Sequence, residues 1–542
     1  GMTPSPLERI DWLASRSLPL KRRSRRKAER LVLREIEQVA AGISGLATYG
    51  RAVLYSRSRK RRETALGLFG EAIRLAQDAD VIAAAQYRQG DLLGKLNRDA
   101  EAIKTLLPLL EMQTDPSFAA DVRWRLFRLF RAQNQWLDAE AVLNDLVNST
   151  SRWRRRALWQ LAWRRFRLHD VEEALRLMTT LRGAVGADED DGKQPWHARI
   201  DYWRARCLAQ MDRKDEAKAL YIAVADRHPH TYYGLIAVDR LSGLDPVAAA
   251  ARAPLSLADE AVPLSLSGLK VDRHPLLDAP VLLLRMGLLQ AARDALHNIV
   301  PSRLPRDGVH LLAALYHLTG RPRAAYALLR RHARRAARPD DSTAGVWRVA
   351  YATPWREEFT TAATQAGIPL SLLYAVARHE SHFVANARSS AGAVGVVQLL
   401  PTVAARIAGL YGLKKRSSRA LLKPAYNAAI GARYLAQISS FLRGNLALVL
   451  GAYNAGPYAI RRWLKRSGPV PTDVFVESIP YGQARNYARG VLATAHAYAV
   501  LNPSWGEVGT IAAGRPKMAP VDLGPFMVPP VQGEARLVTP RG

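Results

Sequence analysis

A weak repeat constrains the fold of the first part of this chain of 542 residues more than any other feature. In each copy, a residue that favours turns is followed five positions later by alanine. The pairs are Asn97/Ala102, Asn134/Ala139, His169/Ala174, Asp212/Ala217 and Gly320/Ala325, with Lys60/Ala65 as a degenerate earlier copy. From Ala65 to Ala217, neighbouring alanines lie 35 to 43 residues apart, which is the length of a helix-turn-helix unit. The small side chain predicts a close crossing of two helices.

Such units bury their apolar faces on their neighbours and stack. We therefore expect a mostly all-α protein with a long curved α-solenoid of helical-hairpin repeats, similar to tetratricopeptide repeats, over residues 31–345. An Ala-, Pro- and Ser-rich stretch near 243–270 is predicted to be a crossover. Residues 1–30 form a basic N-terminal segment, and residues 506–542 form a Pro-rich tail that we expect to be extended. Residues 346–505 remain for a second domain, which we expect to be rich in helix.

Charge and cysteine usage narrow the class of protein. The formal net charge is +31, carried mostly by arginine along the whole chain. No base-reading module accompanies this charge, so a nucleic-acid partner is not expected; a solvated surface or an anionic polymer explains it better. Cys207 is the single cysteine, so no internal disulfide can form. We expect no transmembrane helix, and the first residues show no signal-peptide pattern.

One acid in the second domain, Glu380, has the position expected of a catalytic residue. Leu373, Val376, Ala377 and Glu380 follow each other at helical spacing, so Glu380 continues an apolar stripe. Pro369 suits the start of this helix. Burial disfavours the ionised carboxylate and raises its pKa, which suits a general acid at neutral pH.

The surroundings of Glu380 in the sequence contain no second acid. From Ser381 to Thr472 there is no Asp or Glu, and the next acids are Asp473 and Glu477. Most glycosidases use two carboxylates. A site with Glu380 alone must therefore take its second group from the substrate or from a residue far along the chain.

Four ordered motifs resemble the catalytic domain of the soluble lytic murein transglycosylases. They are ARHES, SSAGAVGVVQLLP, GAYNAGPYAIRRWL and ESIPYGQARNYARGVL. The segment TYYGLIAVDRL, from Thr231, is similar to a stretch near the end of the solenoid in that family. His379, Val397 and Leu400 depart from the usual Gln, Met and Met of the motifs, which puts fine specificity in question more than chemistry.

The resemblance implies a lysozyme-like catalytic domain over residues 346–505 and a lytic transglycosylase activity. In that mechanism Glu380 protonates the β-1,4 glycosidic oxygen between N-acetylmuramic acid and N-acetylglucosamine. It then takes the proton of the muramoyl C6 hydroxyl, which closes a 1,6-anhydro ring. The implied partner is the peptidoglycan glycan strand. The resemblance also leaves open an association with other cell-wall enzymes. The implied location is the periplasm, and no cofactor is expected.

The motifs also predict which residues surround Glu380 in the site. The predicted substrate-binding residues are Ser381, Ser389, Gln398, Tyr453, Asn454 and Glu477. Ser381 has an alternative role in bonding its own helix, and Gln398 has one in bonding the backbone. We expect Tyr453 to bond and orient the carboxyl of Glu380, whereas Glu477 is equally well interpreted as a structural ion pair. Beyond this set, Asn427 is predicted to anchor a loop and Gly431 to permit helix packing.

His379 and His382 flank the acid, but no carboxylate or thiolate completes a metal set, so no metal is expected. Two other functions remain open. A lysozyme-like muramidase would use water, with Asp473 or Glu477 as a distant base. A helical-repeat scaffold would carry an inactive lysozyme-like domain.

Overall fold

The structure is a computed structural model that describes residues 4–15, 22–112, 115–186, 196–229, 231–252, 275–304, 306–321, 324–325, 327–328, 351–413, 417–502, 505 and 525–526. Helices dominate these ranges, which confirms the all-α class. The one ladder in the described part is antiparallel and pairs Val470–Pro471 with Pro525–Phe526. Isolated bridges join Val394 to Arg388 and to Leu399. No helix in the described ranges combines the length and apolarity needed to cross a membrane.

Contacts divide the chain into two compact units, Gly1–Gly186 and Ala187–Gly542. In the first unit each helix packs mainly on its sequence neighbours. Its α-helices are Pro6–Ser15, Arg22–Val39, Leu46–Ser56, Arg62–Leu75, Ala79–Lys95, Asp99–Leu106, Pro116–Ala132, Trp136–Val147, Arg154–Arg167 and Val171–Ala184, with 3-10 turns at Arg59–Arg61 and Leu107–Leu110.

The second unit begins with further helical hairpins and ends with the domain that carries Glu380. The hairpin helices are Trp196–Gln210, Lys214–Arg227, Tyr232–Ser242, Pro246–Ala250, Pro275–Arg285, Leu289–His297 and Arg306–Leu318, with a 3-10 turn at Pro301–Arg303. The later helices are Arg356–Ala366, Leu370–Ser381, Pro401–Leu410, Pro424–Phe441, Leu446–Ala455, Pro457–Ser467, Thr472–Ser478 and Gly482–Leu501, with a 3-10 turn at Ser418–Leu422.

The turn residues of the repeat adopt the left-handed backbone conformation. The φ angles are 62° at Asn97, Asn134 and His169, 58° at Asp212 and 74° at Gly320. After each of these residues, the next amide donates to the carbonyl five positions earlier, at 2.7 to 3.0 Å, the Schellman bond that closes a helix. The alanines five positions later are fully buried, at 0% exposure. The helical-hairpin repeat is therefore confirmed.

The structure adds a copy of the repeat that the sequence analysis missed. Gly287 has φ 75°, the Leu288 amide donates to the Leu283 carbonyl at 2.9 Å, and Ala292 is fully buried. This copy lies in the long gap between Ala217 and Ala325. The sequence pattern did not indicate this copy because the neighbouring residues are Leu-rich and its turn residue is a glycine within an apolar run.

The predicted domain boundaries are only partly covered. The boundary near residue 345, most of the crossover near 243–270 and nearly all of the tail 506–542 lie outside the described residues. Those boundaries stay predictions. Within the described part, the helices between residues 196 and 252 belong to the same compact unit as Glu380.

Candidate active site

The Glu380 helix, Leu370–Ser381, is the centre of the C-terminal domain. It begins directly after Pro369, as predicted, and packs on helices Arg356–Ala366, Pro424–Phe441 and Gly482–Leu501. Every residue from Leu370 to Arg378 is buried, so the predicted apolar stripe is a helix buried on all sides. His382, at φ 52°, ends the helix. Glu380 lies half-buried in the last turn of the helix.

Burial dominates the electrostatics of Glu380. It raises the pKa of the carboxyl to about 7, and the Tyr487 hydroxyl opposes this shift. That hydroxyl is buried and makes no well-aligned hydrogen bond to a described residue, so it faces the acid in a loose geometry. Catalytic hydrogen bonds are often long before substrate binds and tighten afterwards. No second carboxylate among the described residues contributes to the pKa of Glu380.

His379, which precedes the acid, packs against helix Gly482–Leu501. Its Nε2 lies 2.9 Å from the Thr494 hydroxyl, and its ring meets the Tyr487 ring edge-on at 6.1 Å. A Cβ on Gly490 would lie 2.9 Å from His379 Cε1, so the close approach requires glycine there. Desolvation by its neighbours, followed by the charges of Arg378 and His382, lowers the pKa of His379, although the residue keeps an exposed surface. The ring is therefore neutral at pH 7.

The glycine-punctuated loop after the acid is held by Asn427, as predicted. The Asn427 side chain, fully buried, accepts from the Val397 amide at 2.8 Å and donates to the Val394 carbonyl at 3.0 Å. Gly395 has φ 86°, and a Cβ there would lie 2.3 Å from the Asn427 amide nitrogen. Gly431 makes room for the Val397 side chain, 2.5 Å from its virtual Cβ, so it accommodates the loop.

Ser381 supports the site from behind. Its buried hydroxyl donates to the Val396 carbonyl at 2.7 Å and accepts from the Val384 amide at 3.2 Å. These bonds tie the end of the Glu380 helix to the glycine loop. The predicted substrate contact of Ser381 is therefore corrected to its alternative, a backbone-bonding role.

Ser389 and Gln398 keep part of their surface available. Ser389 is exposed, and its hydroxyl accepts from the Ala393 amide at 3.0 Å. The half-buried Gln398 donates its amide hydrogens to the carbonyls of Gly395 at 2.8 Å and Ala387 at 3.2 Å. Its amide oxygen is the group that can accept from a ligand.

Tyr453 does not make the bond expected of it. Its hydroxyl donates to the Val397 carbonyl at 2.6 Å, which fixes the loop instead of the carboxyl of Glu380. Tyr453 nevertheless lies close enough to Glu380 for the Glu380 charge to contribute to the raised pKa of Tyr453. The neighbouring Asn454 is half-buried at the end of helix Leu446–Ala455. Of these two tyrosines, Tyr487 is the one whose hydroxyl lowers the pKa of Glu380.

Glu477 is a structural acid, which corrects its predicted place in substrate binding. It is 3% exposed and forms ion pairs with Arg199 and Arg489. Its carboxylate also accepts from the Tyr233 hydroxyl at 2.8 Å and the Trp203 indole at 3.2 Å. These cations hold the pKa of Glu477 far below its usual range.

Asp473 is enclosed in the same way. It is 1% exposed, lies 3.2 Å from Arg206 and 3.1 Å from Arg240, and accepts from Tyr202 at 2.6 Å. The arginines lower the pKa of Asp473 against the effect of burial. Neither acid is exposed to water, so neither fits the distant base that a muramidase would need.

Sequence reasoning missed Tyr487 and the arginine partners of the two structural acids. Tyr487 stands inside the ESIPYGQARNYARGVL motif, but nothing in its spacing shows that it faces Glu380. Tyr202 and Trp203 are buried, as expected for inter-helix core, and also donate to the acids. In the described part of the chain, no three His, Cys, Asp or Glu side chains converge as a metal site.

Fold and site together define a helical-repeat protein in which a half-buried glutamate, Glu380, has a raised pKa. Residues 357–476 match the family model "Transglycosylase SLT domain". The chain therefore contains an SLT transglycosylase domain and is homologous to the soluble lytic murein transglycosylases.

Sequence relatives support this assignment over different lengths. The soluble lytic murein transglycosylase of Salmonella typhimurium is 26% identical over 362 residues, which are 65% of this chain and 51% of the relative. A putative soluble lytic murein transglycosylase of Haemophilus influenzae is 35% identical over 148 residues, 27% of this chain and 25% of the relative. The chain thus spans about half the length, or less, of these curated relatives.

Two solved structures support the fold. The 70 kDa soluble lytic transglycosylase from Escherichia coli aligns with a TM-score of 0.59 at 19% identity, over 91% of this chain and 77% of that one. The lytic transglycosylase Slt of Pseudomonas aeruginosa, as an inactive mutant, aligns with a TM-score of 0.54 at 22% identity, over 91% of this chain and 78% of that one.

Proposed function

We propose that this protein is a murein lytic transglycosylase in which Glu380 is the sole acid and base. The substrate is the peptidoglycan glycan strand, and the bond cleaved is the β-1,4 bond from N-acetylmuramic acid to N-acetylglucosamine. The product carries a 1,6-anhydro-N-acetylmuramic acid end. Because murein lies outside the inner membrane, the proposed location is the periplasm.

The observation that carries this proposal is the environment of Glu380. With a pKa near 7, raised by burial, the carboxyl is protonated in part of the population at neutral pH and can exchange its proton in both directions. It first gives the proton to the leaving glycosidic oxygen as the bond to C1 breaks. Its carboxylate then takes the proton of the C6 hydroxyl as that oxygen bonds to C1. Glu380 is restored and no water is consumed.

No second carboxylate among the described residues acts on Glu380, and this favours the C6 hydroxyl over water. Asp473 and Glu477 are buried and paired with arginines, so they cannot activate water beside the sugar. The positive charge that develops at C1 is balanced by the acetamido group of the substrate, as in other glycosidases that lack a carboxylate nucleophile.

Other side chains near Glu380 are proposed to orient the acid and the sugar. Tyr487 donates to the Glu380 carboxylate once the proton has left, which stabilises the intermediate state. Gln398 offers its amide oxygen, and Ser389 its exposed hydroxyl, to the polar groups of the glycan. Asn454 is proposed to contact substrate because it lies next to Tyr453 at the end of its helix.

Mass spectrometry of soluble products from purified murein tests the proposal. The wild-type protein should release muropeptides lighter by one water than the hydrolytic products. Glu380→Gln should reduce the rate by about 10²–10⁴-fold, the usual contribution of a general acid and base. Glu357→Gln is the matched control, because Glu357 is exposed and lies on helix Arg356–Ala366.

Two results would overturn the proposal. Reducing, hydrated ends would make the protein a muramidase. Release of no product by the wild-type protein, with binding to sacculi retained, would favour the scaffold function.

A further inference from the structure

Helix Gly482–Leu501 has two different working faces. One face carries Tyr487, Gly490 and Thr494 and meets the Glu380 helix. Arg489, two positions after Tyr487, extends from the opposite face, since successive residues are about 100° apart around a helix. The Arg489 guanidinium is 2% exposed and ion-pairs with Glu477. A displacement of Arg489 would therefore move helix Gly482–Leu501, which also carries Tyr487.

Glu477 is in turn held by residues from a distant part of the chain. Arg199 and Trp203 lie on helix Trp196–Gln210, and Tyr233 lies on helix Tyr232–Ser242. All three bind the Glu477 carboxylate, and the Arg489 guanidinium lies over the Tyr233 ring at 5.3 Å. The helix pair also packs directly on helix Gly482–Leu501 through Tyr232–Ser242. Glu477 and Arg489 are thus buried among these helices, and Arg199 is mostly buried.

We propose that Arg199, Trp203 and Tyr233 are positioning residues of the active site, which act through Glu477 and Arg489 to set the place of Tyr487 against Glu380. The inference rests on the proposed role of Glu380 as acid and base. It makes the helices between residues 196 and 242 part of the catalytic apparatus, although no residue of theirs is expected to touch substrate.

Geometry explains why a buried ion cluster suits this task. Such clusters add little net stability compared with apolar packing, but breaking one is costly, so they fix one arrangement of their partners. A rotation of the helix by about 10° would move a group at a radius of about 5–6 Å by about 1 Å. A displacement of about 1 Å at a reacting group can reduce a rate by about 10²-fold.

The pH dependence of the site reports the position of Tyr487. Tyr487 on helix Gly482–Leu501 and Tyr453 on helix Leu446–Ala455 interact electrostatically with Glu380, and the ring of the preceding residue, His379, packs edge-on against Tyr487. The Tyr487 hydroxyl lowers the pKa of Glu380 against burial. If Tyr487 moves away, that pKa rises, and the basic limb of the pH profile moves to higher pH.

Two tyrosines provide a matched experiment. Tyr233→Phe removes one buried hydroxyl from Glu477, and Tyr202→Phe removes one from Asp473, which in the described structure has no partner on helix Gly482–Leu501. Both side chains are fully buried, so both variants should lose similar stability. We expect Tyr233→Phe to lower kcat by about 3–30-fold with KM unchanged and to move the basic limb upward. Tyr202→Phe should leave kcat and the pH profile as in the wild type.

The inference fails if both variants change kcat equally, or if neither moves the pH profile while both fold. Trp203→Phe, which removes the weaker indole bond at 3.2 Å, gives the same test if Tyr233→Phe does not fold. A wild-type protein that makes anhydro ends, with an inactive Glu380→Gln, keeps the proposed function whatever the tyrosine variants do.

If the wild type makes no anhydro ends, the proposed function fails separately. The position of Tyr487 is then read from the NMR titration of ¹³C-labelled glutamate carboxyls, with the Glu380 signal assigned by its loss in Glu380→Gln. An unchanged Glu380 titration in Tyr233→Phe would overturn the positioning role.

Discussion

Glu380 and Glu477 are two enclosed glutamates of the same compact unit, and their environments act in opposite directions. Burial raises the pKa of both carboxyls. Around Glu380 the described partner is a tyrosine hydroxyl, and the pKa ends near 7. Around Glu477 stand Arg199, Arg485 and Arg489, and the pKa falls far below its usual range. The sign of the shift is therefore set by the cations, since the burial is common to both.

The difference separates a working acid from a structural one. Glu380 keeps part of its surface exposed and can exchange a proton with a ligand. Glu477 stays ionised, has its oxygens occupied and cannot leave its partners without leaving charges buried. In a chain this rich in arginine, a carboxylate can act as a general acid at neutral pH only if the arginine side chains lie away from it.

The largest effect is expected for Glu477→Gln. Removing one member of a buried ion cluster leaves Arg199 and Arg489 uncompensated and should reduce the free energy of unfolding by about 3–5 kcal/mol. Urea denaturation at pH 7 measures this. Because the folded pKa of Glu477 is depressed, its contribution is present above the unfolded pKa, near 4.3, and is lost as pH falls below it. The wild-type advantage should thus shrink in acid.

The matched control for that change is Glu216→Gln. Glu216 bonds both oxygens to Arg213, at 2.6 and 2.8 Å, but on the surface. It should change stability far less than Glu477→Gln. Equal losses would contradict the claim that burial makes the Glu477 cluster structural.

Tyr487→Phe should weaken catalysis while leaving the fold intact. A hydrogen bond to a charged group contributes about 1.5–3 kcal/mol, so the rate should fall by about 10–100-fold. The pKa of Glu380 should rise, and the basic limb of the pH–kcat/KM profile should move up. Tyr453→Phe, which breaks a bond to the loop at 2.6 Å, should not move that limb upward. An unchanged limb in Tyr487→Phe would remove Tyr487 from the site.

Glu380→Gln should make the folded protein more stable at alkaline pH even as it lowers the rate by about 10²–10⁴-fold. The folded pKa of Glu380, about 7, exceeds the unfolded value near 4.3, so ionisation destabilises the fold progressively above that value. The variant should gain about 1–3 kcal/mol over wild type at pH 8, and less at pH 5. Urea midpoints at the two pH values measure the gain. A gain of the same size at both would show that Glu380 has no raised pKa.

The smallest effect is expected for Ser389→Ala. If the exposed hydroxyl contacts the glycan, one neutral hydrogen bond is lost and KM should rise by about 2–10-fold with kcat unchanged. Steady-state kinetics on murein, with the exposed neighbour Ser390→Ala as control, checks this. Equal KM values for both variants would remove Ser389 from the substrate contacts.

Local patterns in the sequence predicted much of the fold and part of the site. The turn-to-alanine spacing identified hairpins whose turn residues are left-handed and whose alanines are buried, because one helix crossing repeats the same local demand. Pro369 and the apolar run placed the Glu380 helix, and Asn427 anchors the glycine loop as expected. The roles of Tyr453 and Ser381 were wrong in detail, because which carbonyl a hydroxyl reaches depends on how the loop packs.

By itself, the sequence determined that the chain is helical, that hairpins repeat, and that one glutamate stands without local acidic neighbours. These properties depend on residues a few positions apart, which share one helix face or one turn. Only the tertiary structure decided that Glu477 is neutralised by Arg199, a partner 278 positions away, and that Tyr487 faces Glu380. A pKa depends on distance and burial in space, so the chain's folding is what made one glutamate an acid and the other a structural ion.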